Sequence, residues 1–459
     1  MTENEAENLI YASYTRAEKH LDRNAPDAKK RHPELSRELI SRFDGTPCVN
    51  ITGSKGKGSV AEMIASVLGT QMRVGLMTSP HISVFRERFR AGGKMISSED
   101  FTRLMQTLSP SIESITSPLP ENVFLSPMGI QTALALCFFS EQKTDFNVLE
   151  GGKGAQFDDV NNARHDYAVI NGIFAEHTRE LGATIRDIAR DKAHIITGKQ
   201  KCVYTAEQSA EALDEIQKRA AEKGVPLKIY GIDFAAENIR FTQSGMLFDF
   251  ASPAFSLPDI QLSLLGEHQA RNAALALALC ADVLPNPDKE KIKEALARTK
   301  RPGRTEILRT EPFILLDACI HAASCKEIKT VLSRLGINKA AVVIGIPDDK
   351  DFAGVAEEMR ELAEQLILTR SQNAHYVFTP RQQEILAARG IHAVWTDCTD
   401  EAVALAERSG LPVVILGTTS VVAEIKSAEC KVQSAECGVR SADKATALAA
   451  LARRRTKAR

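Results

Sequence analysis

The sequence predicts an α/β protein: a mainly parallel sheet covered by helices, followed by a second, smaller doubly wound domain. Three observations carry this. Apolar, strand-like runs alternate with helical ones from residue 47 to residue 416. A glycine-rich turn, Val49-Asn50-Ile51-Thr52-Gly53-Ser54-Lys55-Gly56-Lys57-Gly58-Ser59, joins the first strand to a helix. The chain has 459 residues, more than one hydrophobic core supports. Alternation of this kind puts ligands at the carboxyl ends of the strands.

In chain order, residues 1–45 are charged and helical in pattern, with breaks at Pro26 and Pro33, and read as a helical arm beside the first domain. In the domain that follows (46–300), Pro47–Thr52, Arg73–Thr78, Phe146–Glu150 and Tyr167–Ile173 read as strands. Val60–Leu68, Ser98–Leu108, Ile130–Glu141 and Thr184–Ile196 read as helices. Short strand candidates at Leu227–Tyr230, Gly245–Phe250 and Gln261–Leu265, with no long helix between them, predict an antiparallel addition at the domain's edge. A helix rich in alanine and leucine spans Ala270–Val283. Arg301-Pro302-Gly303-Arg304 stops both regular structures and reads as a hinge. A second domain (301–426) has strand candidates at Phe313–Asp317, Ala340–Ile346, Gln365–Thr369, Ala374–Phe378, His392–Trp395 and Pro412–Leu416. The tail, 427–459, repeats Ser-Ala-Glu-Cys and ends in basic residues; a solvated or frayed terminus is expected.

Composition excludes several classes. A net charge of −1 gives no field that favours nucleic acid or an anionic membrane. No apolar run approaches the roughly 20 residues of a membrane helix. The start, Met-Thr-Glu-Asn-Glu-Ala-Glu-Asn, is unlike a signal peptide, and the nine cysteines form no Cys-x-x-Cys pair. A cytoplasmic protein with reduced thiols is expected.

The chemistry starts at the glycine-rich turn. Strand, turn and helix N-terminus direct backbone N–H groups toward an anion, and the helix dipole favours it there. Gly53, Ser54, Lys55, Gly56, Lys57, Gly58 and Ser59 thus read as a nucleoside triphosphate cradle; Lys57 reaches the terminal phosphates and Ser59 is placed to ligate magnesium. Without the flanking elements the same stretch would be a turn with a solvated lysine. Ser79, in Thr78-Ser79-Pro80-His81, and Glu150, before Gly151-Gly152-Lys153-Gly154, each stand at the end of a strand and offer hard oxygens. His177 follows another strand; a lone histidine is usually structural, and its neutral ring also binds metals. Lys192 on its helix reads by itself as solvated. Asn272, at the start of the alanine-rich helix, offers the donor and acceptor that an adenine edge needs, while Arg304 sits at the hinge and Asp317 ends a strand.

Taken in order, these stretches, with Asp158–Asn161, Asp191-Lys192-Ala193, Gly266-Glu267-His268-Gln269 and Asp348-Asp349-Lys350-Asp351, resemble the folylpolyglutamate synthase/dihydrofolate synthase family of the Mur ligase superfamily. The resemblance covers roughly residues 46–425. It implies a Mur-ligase-like central P-loop ATPase domain, a smaller C-terminal Rossmann-like domain, and an ATP-dependent amide ligase with ATP and two magnesium ions. By position, Ser79, Glu150 and His177 match the family's magnesium ligands, and Lys192 a lysine often carbamylated into a further metal ligand. Asn272, Arg304 and Asp317 match nucleotide contacts. Lys57, His177 and Lys192 are the catalytic candidates. The partners implied are a small-molecule carboxylate and an amino acid, glutamate in the family, for a monomer or small homo-oligomer.

The departures lie elsewhere. The family's Glu-Val-Gly-Leu-Gly-Gly-Arg-Leu-Asp-Ala-Thr-Asn stands here as Glu150-Gly151-Gly152-Lys153-Gly154-Ala155-Gln156-Phe157-Asp158-Asp159-Val160-Asn161. Gly-Leu-Asp-His is Phe174-Ala175-Glu176-His177, Asp-Gly-Ala-His-Asn-Pro is Asp317-Ala318-Cys319-Ile320-His321-Ala322, and a common glutamate is Gly129. Phosphate positions are kept and acceptor positions altered. A divergent member is therefore expected, acting on a folate-like or another acid; a nucleotide-binding partner with decayed ligase activity is the third reading.

Overall fold

A computed structural model describes residues 1–22, 25–43, 45–242, 245–373 and 376–429. The chain divides into two compact units, one from Met1 to Arg301 and one from Pro302 onward.

The first unit opens with α1 (Glu3–Ala17), α2 (Asp27–Lys30) and α3 (Glu34–Ser41). Its main sheet comprises β1 (Cys48–Thr52), β2 (Val74–Met77), β3 (Phe89–Ala91), β4 (Lys94–Met95), β5 (Phe146–Glu150), β6 (Tyr167–Ile170), β7 (Cys202–Thr205) and β8 (Leu227–Ile229). Their spatial order is β4-β3-β2-β5-β1-β6-β7-β8. Five pairings, from β2–β5 across to β7–β8, are parallel, and only β2–β3 and β3–β4 are antiparallel. Every residue of β1 and β5 is buried, as strands covered on both faces require. Cys48 faces one core, with α5 (Ser98–Thr116) and α6 (Pro127–Glu141); Val49 and Ile51 face the other, with α4 (Lys57–Leu68).

The N-terminal helices are part of this packing: Ala6 and Ile10 of α1 and Leu39 and Ile40 of α3 are fully buried in the α5–α6 core. Gly129 permits the close approach. A Cβ there would lie 2.8 Å from Asp159 Oδ1 and would also strike Ser36, whose hydroxyl donates to that same oxygen at 2.6 Å. Helix α5 continues eight residues past its expected end at Leu108, through Pro110, because Ile112 extends the buried face of Met105 and Leu108.

After α7 (Thr178–Leu181), α8 (Ile185–Ala193) and α9 (Ala210–Lys223), the expected antiparallel addition needs correcting. β8 is not part of it: following the α9 crossover, it pairs parallel with β7 and completes the main sheet. The addition is a separate meander of β9 (Ala235–Thr242), β10 (Gly245–Ala251) and β11 (Leu257–Leu262), ordered β11-β10-β9. Met246, Phe248, Ile260 and Leu262 seat it on α10 (Glu267–Val283) through the α4-side core, and α11 (Lys289–Arg298) closes the unit. β9 escaped the sequence reading because its residues alternate without a fully buried face.

The second unit has β12 (Glu306–Thr310), β13 (Phe313–Asp317), β14 (Ala340–Gly345), β15 (Ala363–Leu368), β16 (Val394–Trp395) and β17 (Val413–Gly417), ordered β12-β13-β17-β14-β15-β16. Helices α12 (Ala322–Arg334), α13 (Phe352–Met359), α14 (Arg381–Ala387) and α15 (Thr399–Arg408) intervene. The strand expected at Ala374–Phe378 is absent from its described part: Tyr376–Phe378 is irregular, with the Val377 carbonyl accepting from Asp348 N–H instead of a strand neighbour. Residues 374–375, and the tail from 430 onward, lie outside the described residues. No helix among the described residues is long and apolar enough to cross a membrane.

Candidate active site

The carboxyl ends of β1, β2, β5 and β6 open at one edge of the first unit's sheet, and the chemistry collects there. Residues 53–56 leave β1 and enter α4, whose first turn holds Lys57, Gly58 and Ser59. Two cations aim at one carbonyl: Lys57 Nζ and Lys192 Nζ each donate to Gly53 O at 2.9 Å. Lys192 also donates to Glu176 Oε1 at 3.1 Å. It is fully buried, so the solvated-lysine reading fails. Burial lowers its ammonium to a pKa of about 8, with Lys57 adding to the shift and Glu176 opposing it.

Asn171, just beyond β6, is a site residue that the sequence reading missed. Its amide donates to Lys55 O at 2.9 Å and to Asn272 Oδ1 at 3.0 Å, and its own oxygen accepts from Gly172 N–H at 2.9 Å. Asn272 in turn donates to Gln269 Oε1 at 3.2 Å, so one donor and one acceptor of its amide already serve the loop. A signal was available: every parallel strand bordering a phosphate loop ends at the ligand edge, and Asn171 is the first polar residue after β6.

At the other side of α4's first turn, Glu150 Oε2 accepts from Ser79 N–H at 2.7 Å. Arg301, expected only to mark a hinge, lies here. Its Nη1 donates to Glu62 Oε1 at 3.1 Å, and its Nη2 donates to Ser79 O at 3.4 Å and stands 3.7 Å from Glu150 Oε2. Glu62 also pairs with Arg90. Gly58 makes room for this cluster, since a Cβ on it would collide with the guanidinium and lie 3.0 Å from Glu150 Oε2.

These positions discriminate between the two expected metal sites. Ser59, Ser79 and Glu150 are hard oxygen donors, and Gly58 puts no side chain between the cradle and Glu150 Oε2, so this set suits one magnesium ion that displaces Arg301 from the carboxylate. The set around His177 and Lys192 fits less well. As an ammonium with two acceptors, Lys192 offers no lone pair, and a metal there would have to displace it from Gly53 O and Glu176. His177 caps α7 with a backbone φ of 49°, its ring half-exposed and 3.9 Å from Glu176 Oε2. Among the described residues, no group of three or more His, Cys, Asp or Glu side chains is arranged to hold a metal.

The altered 151–157 segment is tightly bound in place. Thr52 Oγ1 donates to Gly154 O at 2.8 Å, Asp191 Oδ1 accepts from Ala155 N–H at 2.8 Å, and Asp158 Oδ2 accepts from Gly152 N–H at 2.6 Å. Beside it, a cavity of about 520 Å³ opens between the N-terminal helices, α6 and α7, with walls that include Tyr11, Tyr14, Phe124, Arg31 and Lys153. Asp27 lines it; Lys153 Nζ donates to Asp27 Oδ1 at 3.0 Å, while buried Asp27 Oδ2 has Arg31 Nε at 3.8 Å and no hydrogen-bond donor among the described residues. Arg304 and Asp317 belong to the second unit. Arg304 Nη1 donates to Ala318 O at 3.3 Å, and Asp317 Oδ2 accepts from Thr305 N–H at 2.7 Å and from its hydroxyl at 3.2 Å.

A parallel sheet with a phosphate cradle at its switch edge defines a class, and residues 51–280 match the Mur ligase middle domain. The Bacillus subtilis dihydrofolate synthase/folylpolyglutamate synthase is 30% identical over 323 residues, 68% of this chain and 74% of that protein. A probable bifunctional folylpolyglutamate synthase/dihydropteroate synthase of Haloferax volcanii is 30% identical over 342 residues, 72% of this chain; the chain spans only 40% of that longer protein. A Mycobacterium tuberculosis folylpolyglutamate synthase complexed with ADP and AMPPCP shares the fold, with a TM-score of 0.79 at 23% identity, over 90% of this chain and 97% of that one. The chain belongs to the folylpolyglutamate synthase/dihydrofolate synthase family of Mur ligases.

Proposed function

We propose that the chain is an ATP-dependent ligase that activates a carboxylic acid as an acyl phosphate and joins it to the amino group of an amino acid, glutamate by analogy with its relatives. The observation that carries this reading is the convergence of Lys57 and Lys192 on the Gly53 carbonyl at the mouth of the cradle. Two cations crowded on one carbonyl oxygen, with Glu176 as the second acceptor of Lys192, are poised to re-pair with phosphate oxygens.

In this reading the ATP phosphates lie along the 53–59 backbone, against the positive end of α4. The acid's carboxylate oxygen attacks the γ-phosphorus as the bond to the β-phosphate oxygen breaks, leaving ADP. Lys57 moves from Gly53 O to the transferring group and stabilises the charge that develops on its oxygens. Where a magnesium ion accompanies the nucleotide, Ser59, Ser79 and Glu150 would hold it, and it would neutralise phosphate charge. The neutral amine of the second substrate then attacks the acyl carbon; phosphate leaves with the electrons of the single bond between that carbon and the phosphate oxygen, and the amine loses a proton. Asn171 and Asn272 keep the cradle in shape throughout.

The cavity beside the altered segment suits the acid. Its rings stack a planar aromatic group, its cations attract a carboxylate, and Asp27 Oδ2, beside Arg31, has room to accept an N–H from a nitrogen heterocycle. A folate-like acid meets all three requirements. One observation favours a different acid: Lys153, within the altered segment, reaches into this cavity and ties up Asp27 Oδ1. A cytoplasmic location goes with this reading, since Cys137, Cys202 and Cys280 are buried thiols outside any disulfide.

The test is ADP release from purified protein with ATP, magnesium, glutamate and candidate acids, with products weighed by mass spectrometry. ADP that forms only when acid and amine are both present, with an amide of the summed mass less water, supports the ligase. ADP release indifferent to both would end it.

A further inference from the structure

Magnesium, on the reading above, must reach Glu150, and in this structure a cation of the chain's own already stands there. Arg301 Nη2 is 3.7 Å from Glu150 Oε2 and donates to the carbonyl of Ser79, the residue whose N–H holds that same carboxylate oxygen. The guanidinium is not a surface group that has drifted inward: its side chain is only 11% exposed, and Glu62 grips it from α4 at 3.1 Å. Glu62 is itself buried and shared with Arg90. The result is an alternating row, Arg90, Glu62, Arg301, Glu150, laid across the first turns of the phosphate helix.

We propose that Arg301 is a resident counter-ion of Glu150 that competes with magnesium for it, and that Glu62 sets the strength of that competition. The proposal rests on Glu150 being a magnesium ligand. A guanidinium and a hydrated divalent ion cannot both occupy the face of one carboxylate at full strength, because each repels the other where screening by water is poor. Glu62 offers Arg301 somewhere to go: the more firmly it holds the guanidinium, the freer Glu150 becomes. The chain thereby keeps its cation seat neutral until a metal–nucleotide complex arrives.

This geometry gives the two flanking substitutions opposite signs, which a merely structural role for either residue would not. Binding of Mn²⁺, read by electron paramagnetic resonance in the presence of AMPPCP without turnover, is the measurement. Arg301→Gln is expected to tighten Mn²⁺ binding by about tenfold, and Glu62→Gln to weaken it by roughly threefold, because Arg301 then falls wholly to Glu150. The double variant should follow Arg301→Gln. Arg301→Lys, which keeps the charge, serves as the folding-safe control and should stay near wild type; thermal melts accompany each. If Glu150→Gln leaves Mn²⁺ binding unchanged, the metal reading itself fails. If Glu150→Gln weakens binding while Arg301→Gln leaves it unchanged or weaker, the competition is overturned and the metal reading stands.

Discussion

The two units put acidic residues at the carboxyl ends of parallel strands, yet they partner them differently. In the first unit the carboxylates meet cations: Glu150 faces Arg301, which Glu62 of α4 shares, and Glu176 faces Lys192. In the second, Asp397 beyond β16 pairs with Arg370, while others meet neutral donors. Asp317 accepts from Thr305, Asp348 from Thr379 and Gln382, and Asp351 from Gly354 N–H and Ala322 N–H. A carboxylate bound by backbone and hydroxyl donors fixes loops, and nothing replaces those bonds without unfolding the turn. An ion pair at a cleft can exchange partners when a charged ligand arrives. On the proposed reading, strand ends serve chemistry in the first unit, while these carboxylates hold loops in the second.

Substitutions break or sharpen this contrast. The largest effect belongs to Lys57→Ala: ADP formation should fall by about 10²–10³-fold, the scale of losing one donor to developing charge. The thermal melt should not move, since Lys57 holds only one carbonyl that Lys192 also serves. Near-normal turnover would remove the first unit's claim to chemistry.

Next comes the first unit's own exception, Asp158, a buried carboxylate whose partners are the N–H groups of Gly152 and Val160. Burial raises it to a pKa of about 6, against opposition from Arg31 and help from Asp159. The folded chain therefore keeps this proton between about pH 4 and 6 where the unfolded chain releases it. The stabilisation that protonation brings is complete below about pH 4 and lost as pH rises through 6, by up to about 3 kcal/mol. Denaturant melts of wild type should weaken across that window, and Asp158→Asn should flatten the slope. A slope identical in both proteins would assign the trend to other groups.

Asp317→Ala follows. It strips two donors on Thr305 of their acceptor, and should cost the second unit roughly 1–3 kcal/mol in melting experiments while leaving AMPPCP binding in the remaining folded protein intact. Normal melting with lost nucleotide binding would make Asp317 a ligand contact and dissolve the contrast between the units.

Much of this was legible in the sequence because it is local. The cradle's glycines, Lys57 and Ser59 sit within one strand-turn-helix, and the main strands announce themselves as buried apolar runs. What stayed hidden depends on distant approach. Arg301 reads as a hinge until folding sets it against residues 62, 79 and 150. Lys192 reads as solvated because helical periodicity says nothing of the Gly53 carbonyl waiting opposite it. β8 and the meander were merged because neither has a helix-sized spacer after it; which sheet a short strand joins is settled by crossovers and by the apolar face of α10.

Asn171 combines both modes and gives the finest test. It neither carries charge nor belongs to the second unit's scaffold, yet it braces the cradle from β6 by bonds to Lys55 O and Asn272 Oδ1. Asn171→Ala removes the donor from two buried acceptors and the acceptor from Gly172 N–H. Neither acceptor is a phosphate ligand, so chemistry should persist while the loop samples more conformations, and ordering it again on binding costs affinity. The expected result is an AMPPCP affinity about fivefold weaker, with turnover at saturating ATP changed by less than that. Asn171→Asp keeps the Gly172 bond but sets an anion against two acceptors at the mouth of a phosphate site, so it should weaken binding further than alanine does. Were alanine and aspartate to bind AMPPCP equally and as well as wild type, the bracing would be idle, and the cradle's shape would have to come from the 53–59 backbone and its two lysines alone.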